Sequence, residues 1–212
     1  MNENPSLISK GVRKIFLAEI LEIIAVGLII VGSIVSAVII GVTEDVEAGA
    51  LPLAIISLVS AAAGIASFVI LIVGYNIAGV ENRNFKIMFW IIIGALVAAF
   101  LGVLLGTLVD AGAVGNIFTI LSNAASLFVT LWTITTLTDL CKKGGHEPEA
   151  AKGKVSLYLV IIPIALSIIL DIVTRFLPSS AIASILASLV GILELVGIIF
   201  YLVFLKATSK VL

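Results

Sequence analysis

Six long apolar stretches occupy almost all of this 212-residue chain, and each is long enough to cross a lipid bilayer. A hydrocarbon core about 30 Å thick requires about 20 helical residues. We assign the spans to residues 15–42, 51–79, 85–109, 114–140, 155–176 and 180–206. Backbone groups cannot stay unpaired in lipid, and no segment has the alternating pattern of a membrane β-strand. The sequence therefore predicts an all-α fold, a polytopic membrane bundle of six transmembrane helices.

Composition leaves no room for a separate water-soluble domain. The chain is 61% hydrophobic and 12% charged, whereas about a quarter of the residues in a soluble domain are charged. The first apolar run continues to about Val42, which is too long for the apolar region of a cleaved signal peptide. We therefore expect residues 1–212 to form a single integral membrane domain that retains its first span.

The basic residues predict how the chain crosses the membrane. Eleven of the twelve Lys and Arg residues lie on one side of the assigned spans, and only Arg175 lies on the other. The second side also carries Glu44, Asp45, Glu47 and Asp110. The positive-inside rule then places both termini in the cytoplasm. The expected location is the plasma membrane, the inner membrane of the cell.

Small residues recur at helical spacing and predict close helix packing. In the third span, a glycine or alanine occurs every four residues, at Gly94, Ala98, Gly102 and Gly106. Such a stripe closes the bundle or mediates a homo-oligomer, and bundle closure is the favoured interpretation. The six spans also divide into three hairpins of similar plan, which indicates a triplicated unit, although any alternating topology reproduces part of that pattern.

The fourth span carries polar side chains along one helical face. They follow i, i+3, i+4 spacing, at Thr119, Ser122, Asn123, Ser126, Thr130 and Thr133. A hydroxyl in lipid often bonds the carbonyl of its own helix four residues earlier, but the Asn123 amide has no such simple solution. The stripe therefore either joins helices or lines a polar cavity.

Ionisable side chains at membrane depth are the first candidates for function. Glu194 lies near the middle of the sixth span and shares a helical face with Ala187 and Gly191, so we expect it to point into the bundle. Asp171 and Arg175 are spaced i, i+4 and form either a self-neutralising pair or, through Arg175, a substrate anchor. Glu194 fits either a proton or cation relay or a structural hydrogen bond.

Two more carboxylates, Glu19 and Glu22, lie on one face of the first span. We expect them to reach the membrane surface or to pair with Arg13, Lys14 or Lys206, rather than to form a site.

Pro163 falls near the middle of the fifth span, where it removes a backbone bond to the Leu159 carbonyl and is expected to kink the helix. Together with Glu194 and the polar stripe, this predicts a pocket between the fourth, fifth and sixth helices. Its candidate ligand or ion residues are Glu194, Asn123, Ser126, Thr130, Asp171 and Arg175.

The sequence has no motif of an enzyme, a metal site or a nucleotide-binding loop. It contains one histidine, His146, and one cysteine, Cys141, and none of the common catalytic or cofactor patterns. We therefore expect no enzymatic activity, no cofactor, no bound metal and no nucleic-acid partner.

The three-hairpin plan and the segment 188–197, SLVGILELVG, resemble the short-repeat bacterial membrane proteins of the HdeD type. That resemblance implies a six-helix inner-membrane protein linked to acid resistance, and the polar fourth helix departs from it.

Two classes of function fit these features. The first is a small transporter or channel, or the substrate-binding subunit of one, which would need separate ATPase partner subunits. The second is a non-catalytic scaffold, assembly factor or stress-related protein that acts through helix contacts.

Overall fold

The computed structural model describes residues 6–43, 45–108, 112–176 and 181–212. Within these ranges it describes the backbone, but not the side chains, of residues 46, 51, 105–108, 112–116, 119, 123, 167–176 and 181–188. Every regular element in these ranges is an α-helix. The helices are α1 Leu7–Thr43, α2 Val46–Glu81, α3 Arg83–Leu108, α4 Gly112–Lys143, α5 Glu147–Phe176 and α6 Ala181–Val211. The predicted all-α bundle is confirmed, and each helix contains nearly all of one predicted span.

Five of these helices are long and apolar enough to cross a membrane over their described residues. They are α1, α2, α3, α4 and α6. The outer half of the span assigned to α5 lies among the side chains that are not described. The chain is therefore an integral membrane protein by the length and composition of its helices.

Local backbone caps define the start of α2 and the end of α4. Asp45 precedes α2, and its carboxylate accepts hydrogen bonds from the backbone N–H groups of Glu47 and Ala48, which are otherwise unpaired at a helix start. Between α4 and α5, Gly145 adopts the left-handed conformation at φ 77°, and the His146 N–H donates back to the Cys141 carbonyl at 2.8 Å. This left-handed glycine turn ends α4 within a few residues of the start of α5.

Consecutive helices pack side by side, and α6 packs against α1, so the described residues close a ring. Both ends of the chain meet in this ring. The Ser6 hydroxyl donates to the Leu212 carbonyl, and the Ser9 hydroxyl donates to the Ser209 carbonyl, both at 2.6 Å. We call this side of the bundle the terminal end, and the side that carries Asp45 the far end.

The α1–α2 hairpin is joined along its whole length by small residues. Near the terminal end, a Cβ on Gly11 would lie 2.6 Å from the Gly74 carbonyl oxygen, so only glycine permits this approach of the two backbones. Further along, the Ser67 hydroxyl donates to the Ala18 carbonyl at 2.8 Å, and the Ser60 hydroxyl donates to the Ala25 carbonyl. These contacts hold two apolar helices together where lipid provides no hydrophobic drive.

The small residues of the predicted packing stripe on α3 differ in how deeply they are buried. Gly102 is buried, Ala98 is half-buried, and Gly94 is exposed with no atom within 4 Å of a built Cβ. The burial of Gly106 is outside what the structure describes. The stripe therefore contributes to bundle packing in part, and its role in a homo-oligomer stays a prediction.

The main hydrophobic core lies toward the terminal end. Its fully buried members come from five helices, namely Val12, Ile15, Ala78, Phe85, Met88, Ile134, Leu137, Phe204 and Leu205. Ile92 and Val129 lie at its inner edge. Beyond them a cavity separates α1 and α2 from α3 and α4, and this cavity positions the candidate site.

Candidate functional site

A cavity of about 380 Å³ lies between α1, α2, α3 and α4. Its polar lining comes from Glu19 and Glu22 on α1, Tyr75 on α2, and the three hydroxyls of Ser122, Ser126 and Thr130 on α4. The rest of the wall is apolar and comes largely from α2 and α3, namely Phe68, Leu71, Ile92, Ala95, Leu96, Ala99, Ala125 and Val129. An apolar cavity with a few converging polar groups is the common form of a ligand site.

Glu19 and Glu22 lie at the junction of two cavities. A second cavity of about 410 Å³, between α1 and α6, is lined by the same two carboxylates and by Val26, Leu195 and Ile199. At a rise of 1.5 Å per residue, Glu19 is about 7.5 Å and Glu22 about 12 Å along α1 from Lys14. Both carboxylates therefore lie about one to two turns beyond Lys14, in the first third of the span.

The expected ion pairs of these carboxylates are not formed in the described part of the chain. There, the ion pair that the structure contains joins Lys142 to Asp139 at 3.7 Å on the surface. Neither Glu19 nor Glu22 is paired with Arg13, Lys14 or Lys206, contrary to our expectation. The two carboxylates instead lie close enough to repel one another electrostatically.

A buried network of hydroxyls lies on the terminal side of the first cavity. The Thr133 hydroxyl donates to the Val129 carbonyl at 2.7 Å, so the Tyr75 hydroxyl, 2.7 Å from it, acts as the donor between the two side chains. The Tyr201 hydroxyl is buried nearby and makes no hydrogen bond of acceptable geometry within the described residues. Tyr75 also lines the first cavity together with Glu19 and Glu22, so the hydroxyl network borders the carboxylates.

Three described members of the polar stripe of α4, Ser122, Ser126 and Thr130, line the cavity, whereas Thr133 joins α4 to α2 through Tyr75. Both predicted roles therefore occur within the stripe. Thr130 donates to the Ser126 carbonyl at 3.1 Å, and this leaves the lone pairs of its hydroxyl oxygen free to accept. Ser126 and Thr130, both predicted site residues, thus lie in the same cavity as Glu19 and Glu22. Thr119 and Asn123 have side chains outside the described residues.

Glu194 lies in a different place from Ser126 and Thr130. It is exposed, where we expected it to point into the bundle, and it lines a groove of about 200 Å³ between α5 and α6. Pro163 lines the same groove. A Cβ on Gly197 would lie 2.5 Å from the Leu159 carbonyl oxygen, which is the acceptor that Pro163 leaves without its helical donor.

The remaining predicted residues, Asp171 and Arg175, have side chains outside the described part of the chain, so their pairing stays a prediction. The sequence predicts that Glu19 and Glu22 reach the membrane surface or pair with basic residues, and does not predict a site there. Their i, i+3 spacing inside a span was a usable signal for a site. Residue spacing within a helix does not show which other helix lies across the cavity from Glu19 and Glu22. In the structure this helix is α4, which provides the hydroxyls, and not α5 or α6.

The few polar groups of this largely apolar cavity are carboxylate and hydroxyl oxygens. Carboxylate and hydroxyl oxygens are ligands of hard cations. Among the described residues, no group of three or more His, Cys, Asp or Glu side chains is close enough to hold a metal ion. The arrangement therefore suits a cation bound by two carboxylates and hydroxyls, or a proton shared with them, better than a resident transition metal.

No family model, curated protein or solved structure matches this chain.

Proposed function

We propose that this protein is a small membrane transporter or channel that takes a cation into the cavity between α1, α2, α3 and α4. In this proposal Glu19 and Glu22 provide the negative charge, and Ser126 and Thr130 provide neutral oxygen ligands. The cation is a proton, a metal cation of low charge or a small protonated amine. The role is one of binding and passage and involves no catalysis.

The observation that carries the proposal is the position of the two carboxylates. They lie inside a span, they line the cavities and they have no cationic partner among the described residues. An ionisable group at the centre of a membrane helix costs about 2.5–3.5 kcal/mol on insertion scales, and the cost is smaller at the depth of Glu19 and Glu22, nearer the interface. A cation in the cavity would offset this cost, and the α4 hydroxyls would complete its coordination.

Flux through proteoliposomes tests this proposal. We would load vesicles containing the purified chain with a pH-sensitive or potassium-sensitive dye and impose a gradient of protons, sodium, potassium or methylammonium. Wild-type protein is expected to dissipate at least one of these gradients. The double variant Glu19→Gln/Glu22→Gln is expected to reduce that flux to the level of empty vesicles, because glutamine keeps the shape and removes the charge.

Glu194→Gln is the matched control, because Glu194 is also a carboxylate inside a span but lines the groove between α5 and α6. It is expected to leave the flux unchanged. Flux lost with Glu194→Gln and kept with the α1 double variant would move the site to α6. A well-folded wild type without any flux would refute an autonomous transporter and leave a subunit that needs partner subunits.

We further propose that the terminal end faces the cytoplasm of a cell with this protein in its plasma membrane. Both chain ends lie on one side of the ring, and the positive-inside rule assigns the side rich in Lys and Arg to the cytoplasm. Fusions of green fluorescent protein and alkaline phosphatase to Leu212 test this. Fluorescence with an inactive phosphatase is expected, and the reverse would invert the topology.

The exposed Gly94 supports the alternative function, a scaffold that acts through helix contacts. Its open face would permit the close approach of another helix, as in a homo-oligomer or in an assembly related to acid stress, which the HdeD-type resemblance implies. Light scattering of wild type and Gly94→Leu in detergent separates these functions. An oligomer that Gly94→Leu dissociates, together with no flux, would favour the scaffold.

A further inference from the structure

A basic cleft of about 650 Å³ lies at the terminal end, between the first turns of α1 and the last turns of α6. Four basic side chains line it, two from each helix, namely Arg13, Lys14, Lys206 and Lys210. The remaining lining consists of Ser9, Ser209, Phe16 and Leu17, so no carboxylate contributes to the wall. The cleft is separate from the carboxylate cavities and has the opposite charge.

The two helices that form the basic cleft are held together by hydrogen bonds at its base. Ser9 is buried and donates its hydroxyl to the Ser209 carbonyl at 2.6 Å, and Ser6 makes an equivalent bond to Leu212. Because these bonds fix the separation of α1 and α6, the basic side chains cannot relieve their repulsion by moving the helices apart.

The charge of the basic cleft is not neutralised by the described part of the protein. All four basic side chains are exposed, and none forms an ion pair with a described residue. Charges of one sign on a fixed frame repel one another. An anion bound between the two helices would relieve this repulsion, and a phosphate group offers acceptor oxygens to an Arg guanidinium and to Lys ammonium groups together.

The position of the basic cleft at the boundary of the membrane span favours a lipid as the source of that phosphate. Arg13 and Lys14 lie at the boundary of the α1 span, and Phe16 and Leu17 follow within one turn toward the membrane interior. Leu17 is 48% exposed, so an apolar surface continues from the basic groups into the bilayer. An anionic lipid matches this arrangement, because its charged headgroup phosphate lies at the membrane surface and its apolar acyl chain extends into the bilayer.

We propose that the basic cleft binds the phosphate group of an anionic membrane lipid. In this site Arg13 and Lys206 contact the phosphate from the two helices, and the acyl chain lies against Phe16 and Leu17. The site is independent of the proposed transport function, because it uses no residue of the carboxylate cavities.

Native mass spectrometry of the purified full-length protein in detergent tests this site. Phosphatidylglycerol, phosphatidylcholine and inorganic phosphate are titrated separately, and bound molecules are counted per chain. Wild type is expected to retain phosphatidylglycerol in preference to phosphatidylcholine. Each cation near a membrane surface contributes about fivefold to the binding of an anionic lipid, so Arg13→Gln/Lys206→Gln is expected to weaken it about thirtyfold.

The matched control is Lys152→Gln/Lys154→Gln, which removes the same charge from exposed positions near the start of α5, at the same end of the bundle. It is expected to retain phosphatidylglycerol as wild type does. Equal losses in the two double variants would overturn the proposal, because the attraction would then come from the positive end as a whole. Displacement of the lipid by inorganic phosphate would overturn the assignment to lipid.

Lys206→Gln/Lys210→Gln provides a second variant of the basic cleft if the first fails to fold. It leaves α1 unchanged and alters only exposed side chains of α6. Each variant is compared with wild type only if its elution volume and thermal midpoint match. Unchanged retention of phosphatidylglycerol by this folded variant would also refute the site.

Discussion

Two regions along the described helices of this bundle are built differently from similar apolar side chains. Toward the terminal end, α1, α2, α3, α4 and α6 all contribute to one core in which Phe85, Met88 and Phe204 are fully buried. Beyond Val129, α1 and α2 stay closely packed, but a cavity separates them from α3 and α4. Among the described side chains, the interior is therefore filled toward the terminal end and contains a cavity further along the helices.

Single glycines differ in how closely they are packed. Gly11 and Gly74 allow two backbones to touch, whereas Gly27 and Gly64 on the same two helices have no atom within 4 Å of a built Cβ. Further along the hairpin, a Cβ on Gly32 would lie 2.8 Å from the Ile56 side chain. The requirement for glycine is therefore set by the local contact between the helices.

The largest expected effect comes from comparing Gly11→Ala with Gly27→Ala, two changes in the same helix. A methyl group at Gly11 meets the Gly74 carbonyl oxygen at 2.6 Å, and this backbone oxygen cannot move aside alone. We expect a loss of stability of about 3 kcal/mol, the upper end for overpacking. Gly27→Ala meets nothing, and the higher helix propensity of alanine is expected to stabilise by up to about 1 kcal/mol.

Unfolding in mixed micelles with increasing SDS measures both free energies. Equal destabilisation by the two alanines would show that the regions are packed alike.

A smaller effect on stability is expected when the cavity is filled. Ala125 lines the cavity, and Ala125→Leu adds three carbon atoms to a space of about 380 Å³. We expect the free energy of unfolding to change by less than about 1.5 kcal/mol, as for a tolerated core exchange. Cation flux, measured as described for Glu19 and Glu22, is expected to fall.

Ala78→Leu is the counterpart at the terminal end, where Ala78 is fully buried. Overpacking at this position is expected to lower the free energy of unfolding by about 1–3 kcal/mol, which the SDS titration measures. An Ala125→Leu variant that unfolds as readily would mean that the cavity is closed in the membrane.

Within the terminal end, two buried tyrosines give a finer comparison. Tyr75→Phe removes the hydrogen bond to Thr133, and a buried bond of this kind contributes about 1 kcal/mol. Tyr201→Phe removes a buried hydroxyl that has no hydrogen bond within the described residues, so it is expected to be neutral or stabilising. The SDS titration measures both. A larger loss from Tyr201→Phe would reveal a partner for that hydroxyl.

The sequence was a good guide to the fold, because the features that define it are local. The length and apolarity of a span determine a membrane helix, and all six helices were found within a few residues of their predicted bounds, apart from the polar extensions at the terminal end. Those extensions, such as Leu7 to Lys14 of α1, are helical because they pack against other helices. The length of the apolar span therefore does not predict these extensions.

The candidate site was less predictable because it depends on which helices face each other. The stripe containing Ser126 and Thr130 was recognised on α4 from its spacing, but spacing does not say that α1 lies across the cavity. The central position of Glu194 predicts a site residue, and the nearness of Glu19 to Lys14 predicts a residue of the membrane surface. In the described structure Glu19 and Glu22 line the cavity of the α4 hydroxyls, and Glu194 lines the groove between α5 and α6.

The smallest effect is expected where a serine joins α1 to α2. Ser60 is 3% exposed and donates its hydroxyl to the Ala25 carbonyl, whereas Ser57 on the same helix is exposed. Hydrogen bonds between membrane helices contribute about 0.6 kcal/mol on average, so Ser60→Ala is expected to lower the free energy of unfolding by about that amount. Ser57→Ala is expected to leave it unchanged. A loss above about 2 kcal/mol at Ser60 would exceed the largest values measured for such bonds and would place the hairpin itself, rather than the terminal core, at the centre of the stability of this bundle.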